Sequence, residues 1–146
     1  MDLSEILSSV EIFEGLEPAE LSQVAQICRE RRLHPGEAIT EQGDSGDELY
    51  IVTDGFVEVS LGESAAASRV VVNLGRGQII GEMALVDQGP RSATVRAIVE
   101  PTAVQVIQRQ DFERLCQGNY KIGYIVMRNI AADLSFKLRH RNLSER

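Results

Sequence analysis

Apolar residues at helical spacing mark the first part of the chain. Leu3, Ile6, Leu7 and Val10 fall at positions i, i+3, i+4 and i+7, which predicts a short amphipathic helix. A second helix is expected from Pro18, because a proline at the first helical position lacks only an N–H that would be unpaired there. We expect its apolar face to hold Leu21, Val24, Ala25 and Cys28, and Arg29, Arg31 and Arg32 to lie near its end, where they suit the helix dipole. Residues 1–32 are therefore predicted to be N-terminal helices.

From residue 33 to 109 the pattern changes to short β-rich runs separated by glycine-containing turns. The runs cover residues 49–53, 56–61, 69–74, 93–98 and 102–108. Several short strands at such spacing predict an all-β barrel or sandwich. Asp54-Gly55, between two of these runs, predicts a tight hairpin, and residues 62–68 are expected to form a mobile hairpin tip.

Helical spacing returns in residues 111–141. Asp111 is expected to cap a helix over 112–117, which Gly118-Asn119 closes. A longer helix is predicted over 120–141, with apolar residues at successive i+4 steps: Ile122, Val126, Ile130, Leu134 and Leu138.

Composition narrows the function classes. The chain has 146 residues, a typical size for one domain, and a net charge of -7. The first 60 residues carry 14 acidic and 3 basic side chains, and the remainder carries 8 and 12. An acidic total argues against direct nucleic-acid binding, and no apolar run approaches the ~18 residues of a membrane helix.

Cysteine and histidine are too sparse for several kinds of site. Cys28 and Cys116 are far apart and in no CxxC pair, which argues against a disulfide framework or zinc site and favours a cytoplasmic setting. His34 and His140, about a hundred residues apart, do not make the histidine cluster of a metal-dependent cupin enzyme. No metal or cofactor is expected.

The informative stretch is residues 81–95. Gly81 allows close backbone approach, and residues 82–85 form a predicted helical turn whose free N–H groups can hold an anion. Pro90 fixes the return, so that Arg91 is delivered to a defined place, and Ser92 adds a hydroxyl. An anionic ligand with a hydroxyl beside its charge would satisfy Arg91, the turn and Glu82 together. A plain structural ion pair between Glu82 and Arg91 is the alternative.

This stretch resembles the phosphate-binding cassette of cyclic nucleotide-binding domains. The family pattern Gly-Glu-x-Ala-Leu, a short gap and Arg-x-Ala-Thr-Val stands here at residues 81–85 and 91–95. Further landmarks match in order over residues 10–140: Phe13, Leu16, Gly36, Gly43-Asp44, Leu49-Tyr50-Ile51-Val52, Gly55, Leu74 and Gly77. Ile80 stands where the family often has an aromatic residue.

The resemblance implies a fold that is mainly β: an eight-stranded β jelly roll (double-stranded β-helix) with N-terminal helices and C-terminal lid helices. It also implies that Arg91 pairs with the cyclic phosphate and that Glu82 accepts from the ribose 2′-hydroxyl. Gly81, Ser92 and the N–H groups of Met83, Ala84 and Ala93 complete the implied ligand-binding set. In the C-terminal helix, the lid that the resemblance implies, the candidate lid residues are Leu134, Lys137 and Leu138.

The expected function is a non-enzymatic sensor that binds a cyclic nucleotide, with cyclic AMP (cAMP) favoured over cyclic GMP (cGMP), and transmits binding through its C-terminal helices. The expected partners are an unidentified effector protein and a second copy through the C-terminal helix, with neither nucleic acid nor membrane. Two alternatives stay open. The fold could serve as a protein-interaction domain with a degenerate pocket, or the chain could be the sensor of a larger transcription factor or channel, since the helix-turn-helix of the family's transcription factors is missing.

Overall fold

Eight strands form two antiparallel sheets of four in the structure, a computed structural model that describes residues 2–62 and 68–144. In chain order they are β1 (Arg29–Leu33), β2 (Ala38–Thr40), β3 (Glu48–Asp54), β4 (Val57–Leu61), β5 (Arg69–Leu74), β6 (Ile79–Ile80), β7 (Thr94–Ala97) and β8 (Thr102–Gln108). One sheet has the order β1-β8-β3-β6 and the other β2-β7-β4-β5. The predicted eight-stranded β jelly roll with flanking helices is confirmed.

Four helices flank the roll: α1 (Leu3–Ser8), α2 (Pro18–Gln26), α3 (Arg109–Gly118) and α4 (Tyr120–Ser144). Helix α2 begins at Pro18, as predicted, and its first turn is closed by a hydrogen bond from the backbone N–H of Glu17 to Oε1 of Glu20 at 2.8 Å. That bond lowers the pKa of Glu20, and so does the ion pair between Nζ of Lys121 and Oε1 of Glu20 at 3.1 Å. The pair ties α2 to the start of α4.

The predicted end of the second helix is wrong. Helix α2 ends at Gln26, and Arg29, Arg31 and Arg32 lie in strand β1 rather than in a last helical turn. The strand forms because residues 29–33 pair antiparallel with residues 102–106 of β8, far along the chain. Local composition, which is charged at four of these five positions, carries no sign of that partner.

Strand β3 is buried on both faces and so joins the two cores. Leu49 and Ile51 pack in a cluster with the helices, whereas Tyr50 and Val52 point into the space between the sheets. Successive side chains of a strand face opposite sides. The sheet that contains β3 therefore has helices on one side and the second sheet, with the roll interior, on the other.

The predicted hairpin at Asp54-Gly55 is also wrong, because β3 and β4 belong to different sheets. The turn is a corner that passes the chain from one sheet to the other. Gly55 has a φ of +73°, and a Cβ there would collide with the carbonyl of Pro101 and the hydroxyl of Thr102. This corner requires glycine because it leaves no space for a Cβ and because its φ is positive. The dipeptide Asp-Gly does not distinguish a corner between two sheets from a hairpin turn.

Helix α3 begins and ends slightly outside its predicted bounds, whereas α4 begins at Tyr120, as predicted, and continues three residues beyond its predicted end. Asp111 does not cap α3, which starts at Arg109 directly after β8; the N–H of Arg109 donates instead to the carbonyl of Asp47 at 2.8 Å. Asp111 lies in the first turn of α3, with its Oδ1 3.3 Å from Nη1 of Arg114. Strands β4 and β5 pair as a hairpin, and residues 63–67 of its predicted mobile tip lie outside the described residues.

Candidate functional site

The cassette residues form one wall of a cavity of about 380 Å³ inside the roll. All seven predicted ligand-binding residues line it: Gly81, Glu82, Met83, Ala84, Arg91, Ser92 and Ala93. An apolar wall of the cavity comes from β4, β5, β6 and β7: Val59, Val72, Leu74, Ile79, Ile80 and Val95. The volume falls within the range of small-molecule sites, and a few polar groups facing an apolar wall is their usual composition.

Gly81 sets the geometry of the turn that follows β6. Its φ of +79° places it in the left-handed region, and residues Glu82–Leu85 then form a single 3₁₀ turn, as predicted. Ala84 and Leu85 are buried beneath the turn, while Glu82 is half-buried and Met83 is exposed. The turn is anchored by its apolar side and presents its first residues to the cavity.

One backbone donor of this turn already has a partner. The N–H of Ala84 donates to the carbonyl of Gly81 at 2.9 Å. Its predicted contact with a phosphate oxygen therefore requires that this hydrogen bond be shared or broken, and the ligand role of Ala84 stays a prediction.

Arg91 is held in place by the loop that precedes β3 and by the first residue of that strand. Its backbone N–H donates to the carbonyl of Asp44 at 2.6 Å, and its own carbonyl accepts from Gly43 at 2.9 Å. Its Nη2 donates to the carbonyl of Glu48 at 2.8 Å. Sequence reasoning missed this role of the loop; the only signal was its two glycines, Gly43 and Gly46.

Glu82 and Arg91 do not pair with each other among the ion pairs of the described residues. Glu82 Oε1 lies 3.9 Å from Nζ of Lys137 on α4, and the guanidinium of Arg91 bonds the Glu48 carbonyl instead. The alternative of a plain structural pair between them is therefore wrong for this structure. Both residues line the cavity.

The three candidate lid residues occupy different environments, and none of them is among the described residues that line the cavity. Leu134 is half-buried against the helical core, and Leu138 is 57% exposed. Lys137 lines a neighbouring cleft of about 500 Å³ that shares Leu74, Ile79 and Glu82 with the cavity. A hydrogen bond with Asp133 at 2.8 Å is the main cause that raises the pKa of Lys137, with Glu82 and Glu11 adding to it.

Neither the two cysteines nor a cluster of possible metal ligands forms a second site among the described residues. Burial raises the pKa of Cys28 to about 12 and also raises that of Cys116, so neither thiol is activated. Within residues 2–62 and 68–144, no group of three or more His, Cys, Asp and Glu side chains could hold a metal ion. The same residues contain no helix long and apolar enough to cross a membrane.

Comparison with known proteins agrees with this geometry. Residues 30–119 match the family profile described as "Cyclic nucleotide-binding domain". The chain is 37% identical over 133 residues to the cyclic AMP receptor protein of Thermus thermophilus, covering 90% of this chain and 59% of that protein. It is 33% identical over 121 residues to a cyclic nucleotide-gated potassium channel of Mesorhizobium japonicum, covering 83% of this chain and 32% of the channel.

A solved structure gives the same result for the fold. The N-terminal domain of a transcriptional regulator from Streptomyces coelicolor superposes with a TM-score of 0.82 at 25% identity, covering 97% of this chain and 95% of that one. The chain spans less than two thirds of the length of the Thermus receptor and about a third of the length of the Mesorhizobium channel.

Proposed function

The chain belongs to the family of cyclic nucleotide-binding domains, and from this premise we propose that it is a non-enzymatic sensor of a cyclic nucleotide, cAMP in preference to cGMP. One observation carries the proposal: an arginine, a carboxylate, a helical turn and an apolar wall line one cavity. Those are the groups that a phosphate, a ribose hydroxyl and a purine require.

Arg91 supplies the charge for the cyclic phosphate. The chain carries a net charge of -7 and would otherwise repel an anion. A guanidinium offers several N–H donors in a fixed plane, and one of them is already engaged by Glu48, so the remainder are available to phosphate oxygens. The hydroxyl of Ser92 and the N–H groups of Met83 and Ala93 add neutral donors, and the N–H of Ala84 adds another if its hydrogen bond with the carbonyl of Gly81 is shared or broken.

Glu82 accepts the ribose 2′-hydroxyl. Its carboxylate has two oxygens, of which Oε1 lies near Lys137. The other can accept a hydrogen bond from the cavity side without loss of that contact. The sugar would thus be held between the carboxylate and the phosphate site.

The apolar wall favours adenine over guanine. Guanine presents a carbonyl and two nitrogen donors on its pairing edge, whereas adenine presents one amino group and one acceptor. Burying the more polar edge against Val59, Val72 and Leu74 leaves more groups unpaired, which costs binding free energy. The 37% identity to a protein named as a cyclic AMP receptor supports the same choice.

Helix α4 transmits binding through its second half. Its first half is fixed: Ile122 and Val126 are fully buried, and Asn129 Nδ2 donates to the carbonyls of Ile12 and Glu14 at 2.9 Å each. Residues 131–141 are more exposed, and Lys137 connects them to Glu82. A ligand that engages Glu82 changes the surroundings of Lys137 and so biases the position of this segment.

The output partner is an unidentified effector protein, and exposed apolar side chains on α4, including Tyr124, Phe136 and Leu138, support a homodimer through this helix.

We propose a cytoplasmic location, since both cysteines are free thiols. The alternative is that the chain is the sensor part of a larger transcription factor or channel, which its 59% and 32% coverage of two relatives supports.

Calorimetric titration with cAMP, cGMP and 5′-AMP tests the ligand. We expect tightest binding for cAMP, weaker binding for cGMP and weakest for 5′-AMP. Hydrogen exchange in residues 131–141, measured with and without cAMP, tests the transmission. Failure to bind any of the three nucleotides would contradict the sensor function and favour a protein-interaction domain, whereas binding without an exchange change would contradict only the role of α4.

A further inference from the structure

The guanidinium of Arg91 is contacted by residues outside the cassette. Its central carbon lies 5.5 Å from the centroid of the Tyr50 ring, within the range of a cation–π contact. Nη2 donates to the Glu48 carbonyl at 2.8 Å. A Cβ on Gly46 would collide with Nε and Cζ of the same guanidinium. Three residues of the segment 46–50 therefore form a cage around one side chain.

Tyr50 is itself rigid and neutral. Only 3% of the residue is exposed, and its hydroxyl donates to Oε1 of Glu48 at 2.7 Å. Burial, aided by Glu48, raises the pKa of Tyr50 to about 12, so the ring keeps its proton across the working pH range. The strand that carries it, β3, is hydrogen-bonded to β6 and β8 on its two sides.

Gly46 is required for space and not for backbone conformation. Unlike Gly55 and Gly81, it does not have a positive φ. Alanine could adopt its backbone geometry, but the added methyl group would occupy the place of the guanidinium. The position is thus shaped around Arg91.

We infer that Tyr50, with Gly46 and the Glu48 carbonyl, positions Arg91 for capture of the cyclic phosphate. The inference rests on the proposed role of Arg91. A free arginine loses much rotamer freedom when it binds an anion, and one that is already stacked and hydrogen-bonded loses less. The cage also fixes which N–H groups face the cavity, so Tyr50 acts through Arg91 and needs no contact with the ligand.

Binding experiments on three substitutions test the inference. Tyr50→Leu, which removes the ring, should weaken cAMP binding about three- to tenfold, and Tyr50→Phe, which keeps it, should bind within about twofold of the native protein. Gly46→Ala should weaken binding at least as much as Tyr50→Leu. Gly118→Ala is the matched control, because Gly118 also lacks a positive φ and has no atom within 4 Å of an added Cβ.

A double-mutant cycle separates positioning from general structural damage. In an Arg91→Gln background, Tyr50→Leu should cause no further loss of affinity, because the group that it positions is absent. An equal loss in both backgrounds, or native affinity in both Tyr50→Leu and Gly46→Ala, would overturn the inference.

A ligand-free measurement keeps the inference separate from the proposed function. Nitrogen-15 relaxation of the Arg91 Nε–H group should report a rigid side chain in the native protein and in Tyr50→Phe, and a mobile one in Tyr50→Leu and Gly46→Ala. A native protein that binds no nucleotide but shows this pattern would contradict the proposed function alone. A guanidinium equally mobile in native protein and variants would overturn the positioning role alone.

Discussion

Replacing Glu82 by glutamine should narrow the affinity difference between cAMP and its 2′-deoxy form. A hydrogen bond to a charged acceptor contributes about 1.5–3 kcal/mol, and one between neutral groups about 0.5–1.5 kcal/mol. The Glu82 side chain is 24% exposed and has Lys137 nearby, so the lower part of the first range applies. The native protein should then prefer the ribose form about ten- to thirtyfold, and Glu82→Gln only about two- to tenfold.

Four calorimetric titrations, of two proteins with two ligands, measure this difference directly. Glu11→Gln is the matched control, since Glu11 lines the neighbouring cleft but is not among the lining residues of the cavity. It removes the same charge and should leave the preference unchanged. Equal affinity of the native protein for both ligands would refute the role of Glu82, and so would an unchanged preference in Glu82→Gln.

Three further predictions follow from burial and charge. Truncation after Ala132 should leave the protein folded, with an unchanged thermal midpoint to within a few degrees, and should weaken cAMP binding up to about tenfold in titration, the scale of a coupling between ligand and lid. Phe112→Ala, at a side chain that is 2% exposed, should lower the free energy of unfolding by about 3–5 kcal/mol in denaturant titration; a loss below 1 kcal/mol would contradict its place in the core. Burial raises the pKa of Cys28 from 9.0 to about 12, so the contribution of its neutral thiol to the free energy of unfolding is full below pH 9 and is lost as the pH rises toward 12. In denaturant titrations between pH 9 and 12, the free energy of unfolding should therefore fall more steeply with pH in the native protein than in Cys28→Ala, and equal slopes would contradict this prediction.

Local sequence patterns were enough to predict those parts of the site and the fold whose residues lie close together in the sequence. The turn at 82–85, the glycine before it and the arginine after it lie within a dozen residues, and the structure brings them to one cavity. The start of α2 at Pro18 and the apolar positions Ile122, Val126 and Ile130 of α4 were equally local, because proline and helical spacing act within a few residues.

Long-range pairing set the limits of the prediction. Strand β1 exists through its partner β8, some seventy residues away, and nothing in its charged sequence indicates that partner. Asp54-Gly55 predicts a turn correctly, but not whether the two strands that it joins pair with each other, since the hydrogen-bonded neighbours of β3 and β4 come from later in the chain. The same holds for the cage around Arg91: Gly46 and Tyr50 become part of the site only when β3 lies beside it.

The lid shows an intermediate case. The i+4 stripe of α4 is continuous in the sequence, yet the structure divides it: Ile130 is 3% exposed and Leu138 is 57% exposed. Burial ends where the core cluster ends, and helical spacing alone does not show where that is. We therefore place the cut in the truncation experiment after Ala132, because earlier cuts would remove core residues.

The most direct test of the central claim is the affinity of Arg91→Ala for cAMP, compared by calorimetric titration with that of the native protein. A charge-assisted contact contributes about 1.5–3 kcal/mol, so we expect roughly ten- to a hundredfold weaker binding, with the thermal midpoint nearly unchanged. Arg96→Ala is the control, since Arg96 is exposed on β7 and is not among the described lining residues of the cavity. Native affinity in Arg91→Ala would contradict the assignment of residues 81–95 as the phosphate-binding site.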